Sequence, residues 1–170
     1  MQRKTFLLLI LVGGLAGLSA CRSNVQVSAE QGCPITQPQS PVFAPPAPWP
    51  SVAPYENTFW YGSEGLWTML QADGIWYSLP QREGGYVQKV VWWHADYDWR
   101  AEPMPNITVR GRRLDSNAPD FEFNGGTNMS HSDVGSAMLV GVSVPTVGCW
   151  EITGLYGEEE LSFVVVLKED

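Results

Sequence analysis

The stretch Leu161-Ser162-Phe163-Val164-Val165-Val166-Leu167 decides the fold of this chain. Side chains of a strand point alternately to its two faces, so the odd positions place Leu, Phe, Val and Leu on one face. The even positions place Ser and two Val on the other face, which predicts a strand that is largely covered on both sides. A strand of this kind needs further layers of structure around it.

Strand-like patterns continue towards the N-terminus. Trp150 and Ile152 share one face of their run, and Ile107 and Val109 share one face of theirs. Such runs alternate with Gly, Pro, Asn and Asp, and no window repeats its apolar residues at the helical period. The runs predict eight strands, at 58–61, 65–70, 75–79, 86–94, 106–114, 137–144, 149–155 and 161–168. This spacing predicts an all-β, antiparallel sandwich or barrel.

One turn is predicted in more detail. Asp73-Gly74 lies between the apolar residues Leu70 and Ile75. A type I′ turn needs positive φ at both central residues, and the Asp-Gly pair accommodates this. We therefore expect a β-hairpin here.

Residues 1–20 have the layout of a secretory signal peptide. Arg3 and Lys4 give a positive start, and the apolar run that follows, Phe6 to Val12, is too short to span a membrane. Small residues then lead up to Cys21.

The motif Leu18-Ser19-Ala20-Cys21 resembles the lipobox of bacterial lipoproteins at every position. The resemblance implies cleavage before Cys21 and lipidation of its thiol. It also implies a protein anchored to a membrane of the bacterial cell envelope, on the extracytoplasmic side. A soluble secreted protein with an unmodified Cys21 is the alternative.

Residues 21–56 are rich in proline, and eight of the thirteen prolines lie between Pro34 and Pro54. Proline lacks a backbone donor and fixes φ, so the segment favours an extended conformation over a helix or an inner strand. It is interpreted as a linker, or as a strap that lies against the domain. The second interpretation is supported by four apolar residues for which a free stalk has no use: Ile35, Val42, Phe43 and Trp49.

There are three cysteines, and a lipid on Cys21 leaves Cys33 and Cys149. The compartment outside the plasma membrane is usually oxidising, so we predict a disulfide between them, with two free thiols as the alternative. In its strand Cys149 points away from Trp150 and Ile152. The bond should therefore lie on the outer side or rim of the sheet, unlike the core-crossing bond of immunoglobulin domains.

The segment Gly148-Cys149-Trp150-Glu151-Ile152-Thr153-Gly154, followed by 160–165, resembles the last two strands of Ig-like domains. It is also similar to segments of uncharacterised bacterial envelope lipoproteins. The resemblance implies an Ig-like β-sandwich of about 7–8 strands and carries no catalytic residues. The expected organisation is a signal peptide at 1–20, a proline-rich linker or strap at 21–56 and the sandwich at 57–170.

The charge balance bears on partners. Removing residues 1–20 takes away Arg3 and Lys4 and leaves 8 basic and 18 acidic side chains, a net charge of −10. Nucleic-acid binding needs basic surface to meet phosphates, so we expect no nucleic-acid partner.

Few residues suggest catalysis. His94, Asp96 and Asp98 would share one face of an extended chain and are weak candidates for metal ligands. A calcium loop at 115–120, using Asp115, Asn117 and Asp120, is a further alternative. Ser136 lacks the flanking glycines of a nucleophile elbow, and neighbours of His131 point in alternate directions. We expect no catalytic residue and no cofactor.

The tryptophans are the best lead to a binding function. Six occur within forty residues: Trp60, Trp67, Trp76, Trp92, Trp93 and Trp99. Trp92 and Trp93 are adjacent, so they should face opposite sides of their strand. One of them must leave the main core, either to pack under the proline-rich segment or to form an exposed platform with Tyr97 and Trp99.

Together these observations predict a non-enzymatic, lipid-anchored envelope protein that acts as a binding, adhesion or assembly module. Its partners would be the membrane, through the lipid, and an envelope protein or polysaccharide. The alternatives are a carbohydrate-binding module that uses exposed tryptophans, and a metal-dependent enzyme at His94, Asp96 and Asp98.

Overall fold

A computed structural model describes residues 32–169 and places them in two packed β-sheets. The predictions for residues 1–20 and Cys21 lie outside the described residues. Eleven strands are formed: β1 (Thr58–Gly62), β2 (Leu66–Gln71), β3 (Ile75–Trp76), β4 (Gln81–Arg82), β5 (Gly85–His94), β6 (Thr108–Arg113), β7 (Phe121–Asn124), β8 (Thr127–His131), β9 (Gly135–Val144), β10 (Gly148–Tyr156) and β11 (Glu159–Leu167). The predicted all-β sandwich is confirmed, but with eleven strands rather than seven or eight.

The sheets differ in strand order. Sheet A has the order β1-β2-β5-β9-β8, with β4 also paired to β5, and sheet B has the order β3-β11-β10-β6-β7. The pairing is antiparallel except between β3 and β11, which run parallel. The long central pairs β5–β9 and β10–β11 form the middle of the two sheets.

The main core lies between the sheets and is filled by alternate side chains of both. Trp92 from β5 and Met138 from β9 meet there with Trp150 and Ile152 of β10. Phe163, Val165 and Leu167 of β11 point into the same core, whereas Val164 and Val166 pack on the outer face of sheet B. The prediction that this strand is covered on both sides is therefore confirmed.

The hairpin predicted at Asp73-Gly74 is wrong. The turn exists, because Gly74 donates its N–H to the carbonyl of Gln71 and has φ +65°. However, β2 belongs to sheet A while β3 pairs with β11 in sheet B, so the turn carries the chain from one sheet to the other. Turn chemistry fixes the local reversal but not the partner of the next strand.

Three strands were not predicted: the two-residue β4, and β7 and β8. β7 and β8 are the outermost strands of sheets B and A, and the pair Gly125-Gly126 joins them. Both are short and only partly buried: β7 alternates Phe121 and Phe123 with polar residues over just four positions, and β8 has a single large apolar residue, Met129. The strand predicted at 75–79 is likewise only two residues long, Ile75–Trp76.

Residues 33–54, here called the strap, cross the outer faces of both sheets. On sheet B, Thr36 N–H donates to the carbonyl of Val164, and Val164 N–H donates to Thr36 Oγ1. On the way to sheet A, the Gln39 side-chain amide bonds both the N–H and the carbonyl of Gly62. These contacts hold the proline-rich segment against the sandwich at places far apart in the fold.

The far half of the strap covers an aromatic cluster on the outer face of sheet A. Trp60, Trp67 and Trp93 lie beneath it, with Phe43 and Trp49 packed on them from the strap. The Trp49 ring meets Trp67 edge to face, with centroids 4.9 Å apart. Of the four apolar residues expected to pack, Ile35, Phe43 and Trp49 do so, whereas Val42 is 70% exposed.

Candidate functional site

The predicted disulfide between Cys33 and Cys149 is confirmed. Both cysteines are buried, and they form a small cluster with Val166 on the outer face of sheet B. Trp150, the neighbour of Cys149, points into the main core on the other side. The bond therefore pins the start of the strap to the outside of the sheet, as the alternation predicted.

Asp115 supports the disulfide from the next loop. Its carboxylate accepts a hydrogen bond from Arg113 Nε at 2.6 Å and from the backbone N–H of Cys149 at 3.0 Å. The hydrogen bond from Arg113, followed by the one from Cys149, lowers the pKa of Asp115 below its ordinary value of 3.8. Both carboxylate oxygens thus have a structural role, which does not favour the calcium loop considered at 115–120.

This arrangement predicts how stability should depend on pH. Because the folded pKa of Asp115 is lowered, its ionised form stabilises the fold above the unfolded pKa, and this contribution is lost as the pH falls through the folded pKa. Asp115→Asn should therefore lower the free energy of unfolding near neutral pH by up to about 1 kcal/mol, since the side chain is partly exposed. The difference should shrink below about pH 4.

Urea unfolding of both proteins between acidic and neutral pH tests the prediction. Glu158→Gln, at an exposed position of the β10–β11 turn, is the matched control and should leave the curves unchanged. An equal difference between Asp115→Asn and the parent protein at every pH would contradict the role of the ionised carboxylate.

Trp92 and Trp93 do face opposite sides of β5, but neither is exposed. Trp92 lies in the main core, and Trp93 lies in the cluster under the strap; both side chains are 0% exposed. Trp93 Nε1 donates to the carbonyl of Val134 at 2.9 Å. The alternative of an exposed platform at these two rings is therefore incorrect, because Trp93 is buried in the cluster against which the strap packs.

The structure does not bring the candidate metal ligands together. His94 Nδ1 accepts the backbone N–H of Asp96, and the His94 ring packs edge to face on Tyr156. Asp98 Oδ1 accepts the backbone N–H of Arg100. Across residues 32–169, no three His, Cys, Asp or Glu side chains are arranged to hold a metal ion.

The residues around the second histidine make turn contacts. Asp133 donates its N–H to His131 Nδ1, and its carboxylate accepts the hydroxyl of Ser132. The Ser132 hydroxyl is thus directed at a carboxylate rather than at an imidazole, which is not the nucleophile–base order of a hydrolase.

A network at one end of the sandwich positions the β5–β6 loop, residues 95–107. The Glu102 carboxylate accepts the backbone N–H of Asn106 and the hydroxyl of Tyr156. The buried Tyr97 donates its hydroxyl to the carbonyl of Glu102 at 3.0 Å. Burial, reinforced by Glu102, raises the pKa of both tyrosines, which keeps their hydroxyl groups protonated as hydrogen-bond donors even at alkaline pH.

This loop forms one wall of a cleft of about 440 Å³. The second wall is the strap at Pro48–Pro50, and the third is the β8–β9 turn together with the start of β9, residues 132–136. The candidate ligand residues Tyr97 and Trp99 both line it, and the Arg100 guanidinium lies 4.6 Å from the centre of the Trp99 ring. Of the four aromatic residues predicted to bind a ligand, Tyr97 and Trp99 therefore line one cleft, whereas Trp92 and Trp93 are buried inside the protein.

The β8–β9 turn meets the strap where Gly135 lies next to Trp49. Gly135 has φ +68°, which few other residues adopt, and a Cβ there would lie 3.4 Å from Trp49 Nε1. Trp49 is therefore a cleft residue that sequence reasoning assigned only to packing. The feature of the sequence that could have indicated this role is a large aromatic residue in a proline-rich segment. Such a residue is useful only where it packs against the domain or contacts a ligand.

Among residues 32–169, none forms a helix long and apolar enough to cross a membrane. No family model, curated protein or solved structure matches this chain.

Proposed function

We propose that this chain is a lipid-anchored protein of the bacterial cell envelope whose sandwich works as a non-catalytic binding module close to the membrane. The observation that carries the proposal is the attachment of the strap to the sandwich at Cys33. If Cys21 carries lipid, only residues 22–32 separate the anchor from the folded domain. Fully extended, such a tether spans at most about 40 Å.

The strap supports this interpretation because its contacts hold it as part of the domain. Trp60 Nε1 donates to the carbonyl of Pro50, and Phe43 and Trp49 cover buried aromatic rings. A proline-rich segment fixed in this way does not lift the module away from the bilayer. The binding surface would therefore work within a short distance of the membrane.

The binding role is favoured over an enzymatic one by how the reactive side chains are used. His94 accepts the N–H of Asp96, Ser132 donates to Asp133, and Glu102 holds the β5–β6 loop. These side chains serve the turns and loops that shape the cleft. Binding at a preformed cleft requires nothing more of them.

Cys21→Ala tests the anchor. We expect the parent protein in the membrane fraction of the host, because two or more acyl chains give stable anchoring. The variant should either be released in soluble form outside the plasma membrane or accumulate as the precursor that keeps its signal peptide. Fractionation with and without globomycin, an inhibitor of lipoprotein signal peptidase, is the measurement. Ser23→Ala, two residues away, is the matched control. Unchanged processing and fractionation of Cys21→Ala would overturn the proposal.

A further inference from the structure

We infer that the cleft between the strap, the β5–β6 loop and the β8–β9 turn binds a neutral saccharide. This inference rests on the proposed function, because it names the ligand class of the binding module. The cleft is lined by Trp49, Tyr97, Asp98, Trp99, Arg100 and Asp133, among others. At about 440 Å³ it falls in the size range of small-molecule sites.

The apolar part of the cleft suits the C–H face of a sugar ring. Trp99 is half-buried and packs against the main core, which fixes its ring. Pro48 and Pro50 add aliphatic surface to the same cleft, on a strap that Trp49 holds in place against Trp67. Rigid aromatic and aliphatic walls bind with little loss of side-chain entropy.

The polar groups at the rim select against charged ligands. Asp98 and Asp133 bring two carboxylates, and Arg100 brings a guanidinium stacked on Trp99. The two carboxylates disfavour an anionic ligand, the guanidinium disfavours a cation placed beside it, and a purely apolar ligand makes use of none of the three groups. Hydroxyl groups can accept from the guanidinium and donate to the carboxylates, so a neutral polyol uses every group.

The three walls are fixed before any ligand arrives. Asp98 Oδ1 accepts the N–H of Arg100 at 2.9 Å, which orders the loop around Trp99. In the facing turn, Ser132 donates to Asp133 at 3.0 Å, and the carbonyl of the buried Val134 accepts Trp93 Nε1. A site held by independent bonds on each side is preorganised, so binding should require little rearrangement.

The test uses the full-length, membrane-extracted protein in a detergent without a sugar headgroup. The probes are four neutral tetrasaccharides: maltotetraose, cellotetraose, laminaritetraose and N-acetylated chitotetraose. We expect tryptophan fluorescence and calorimetry to show binding of at least one of them, with a Kd of about 1 mM or tighter. Trp99→Ala and Asp133→Asn should each weaken that binding by about tenfold or more, the first through loss of the aromatic wall of the cleft.

Further variants separate a loss of saccharide binding at the cleft from a loss of folding or of the lipid anchor. Tyr77→Ala removes a half-exposed aromatic residue that does not line the cleft and should bind as the parent does. Asp133 has a side chain that is 55% exposed, so Asp133→Asn carries the test if Trp99→Ala fails to fold. Cys21→Ala should bind the saccharide normally, so failure of the anchor and failure of the cleft are distinguishable. Absence of binding to all four probes, or equal binding by the two cleft variants and the parent, would overturn the saccharide site.

Discussion

Replacing both Cys33 and Cys149 with serine should lower the free energy of unfolding by about 4–5 kcal/mol. The disulfide joins residues 116 positions apart, so it removes a large loop from the unfolded chain, and the entropic gain grows with the logarithm of loop length. A domain of this size is stabilised by only about 5–15 kcal/mol in total. The double variant should therefore be close to the limit of folding at physiological temperature.

In the double serine variant, loss of structure should begin locally, at the start of the strap. Near Cys33 the strap is held to sheet B by the two Thr36–Val164 hydrogen bonds and the half-buried Ile35. On sheet A, in contrast, Phe43 and Trp49 keep their contacts with Trp67. Amide hydrogen exchange at Thr36 and Val164 should accelerate before exchange in the main core does.

Chemical denaturation of the parent and the double serine variant measures the global effect. Cys21→Ser is the matched control, because it also removes a cysteine but leaves the disulfide intact. If the double variant and this control unfold at the same denaturant concentration, the disulfide does not stabilise the fold in the way proposed.

Much of the fold could be predicted from the sequence because alternation reports burial directly. The strand at Leu161–Leu167 and the opposite directions of Cys149 and Trp150 both follow from a period of two. Alternation could not predict which sheet the strand after Asp73-Gly74 joins. A turn constrains only four residues, whereas the sheet that a strand joins depends on contacts with residues far away in the sequence. β7 and β8 were not predicted because they are short outermost strands: the alternation of β7 covers only four residues, and β8 is mostly polar.

The candidate site was predictable only in part. Trp99 and Tyr97 were predicted as ligand-binding residues because they follow Trp92 and Trp93 in a stretch rich in tryptophan, and both line the cleft. Trp49 and Asp133 join them from segments about fifty residues before and about thirty residues after, which no local pattern reveals. The burial of Trp93 depends on the strap, so its exposure could not be decided until the path of that segment was known.

Trp93→Ala should lower the free energy of unfolding by about 3–5 kcal/mol, the range of buried aromatic truncations. The side chain is fully buried under the strap and meets Trp60 edge to face, with centroids 5.0 Å apart. Truncation leaves a cavity between β5 and the strap, and it leaves the carbonyl of Val134 without its indole donor. The cost therefore combines lost packing with an unpaired buried acceptor.

Trp93→Phe separates these two contributions, because it retains most of the ring surface but not the N–H. We expect this variant to lose about 1–2 kcal/mol, and the exposed Tyr77→Ala to lose less than about 0.5 kcal/mol. Urea unfolding of the three variants beside the parent protein gives the comparison. Equal stability of Trp93→Ala and Tyr77→Ala would mean that the strap does not seal this ring from water. That result would also remove the fixed wall on which the cleft depends, since Val134 joins Trp93 to the β8–β9 turn.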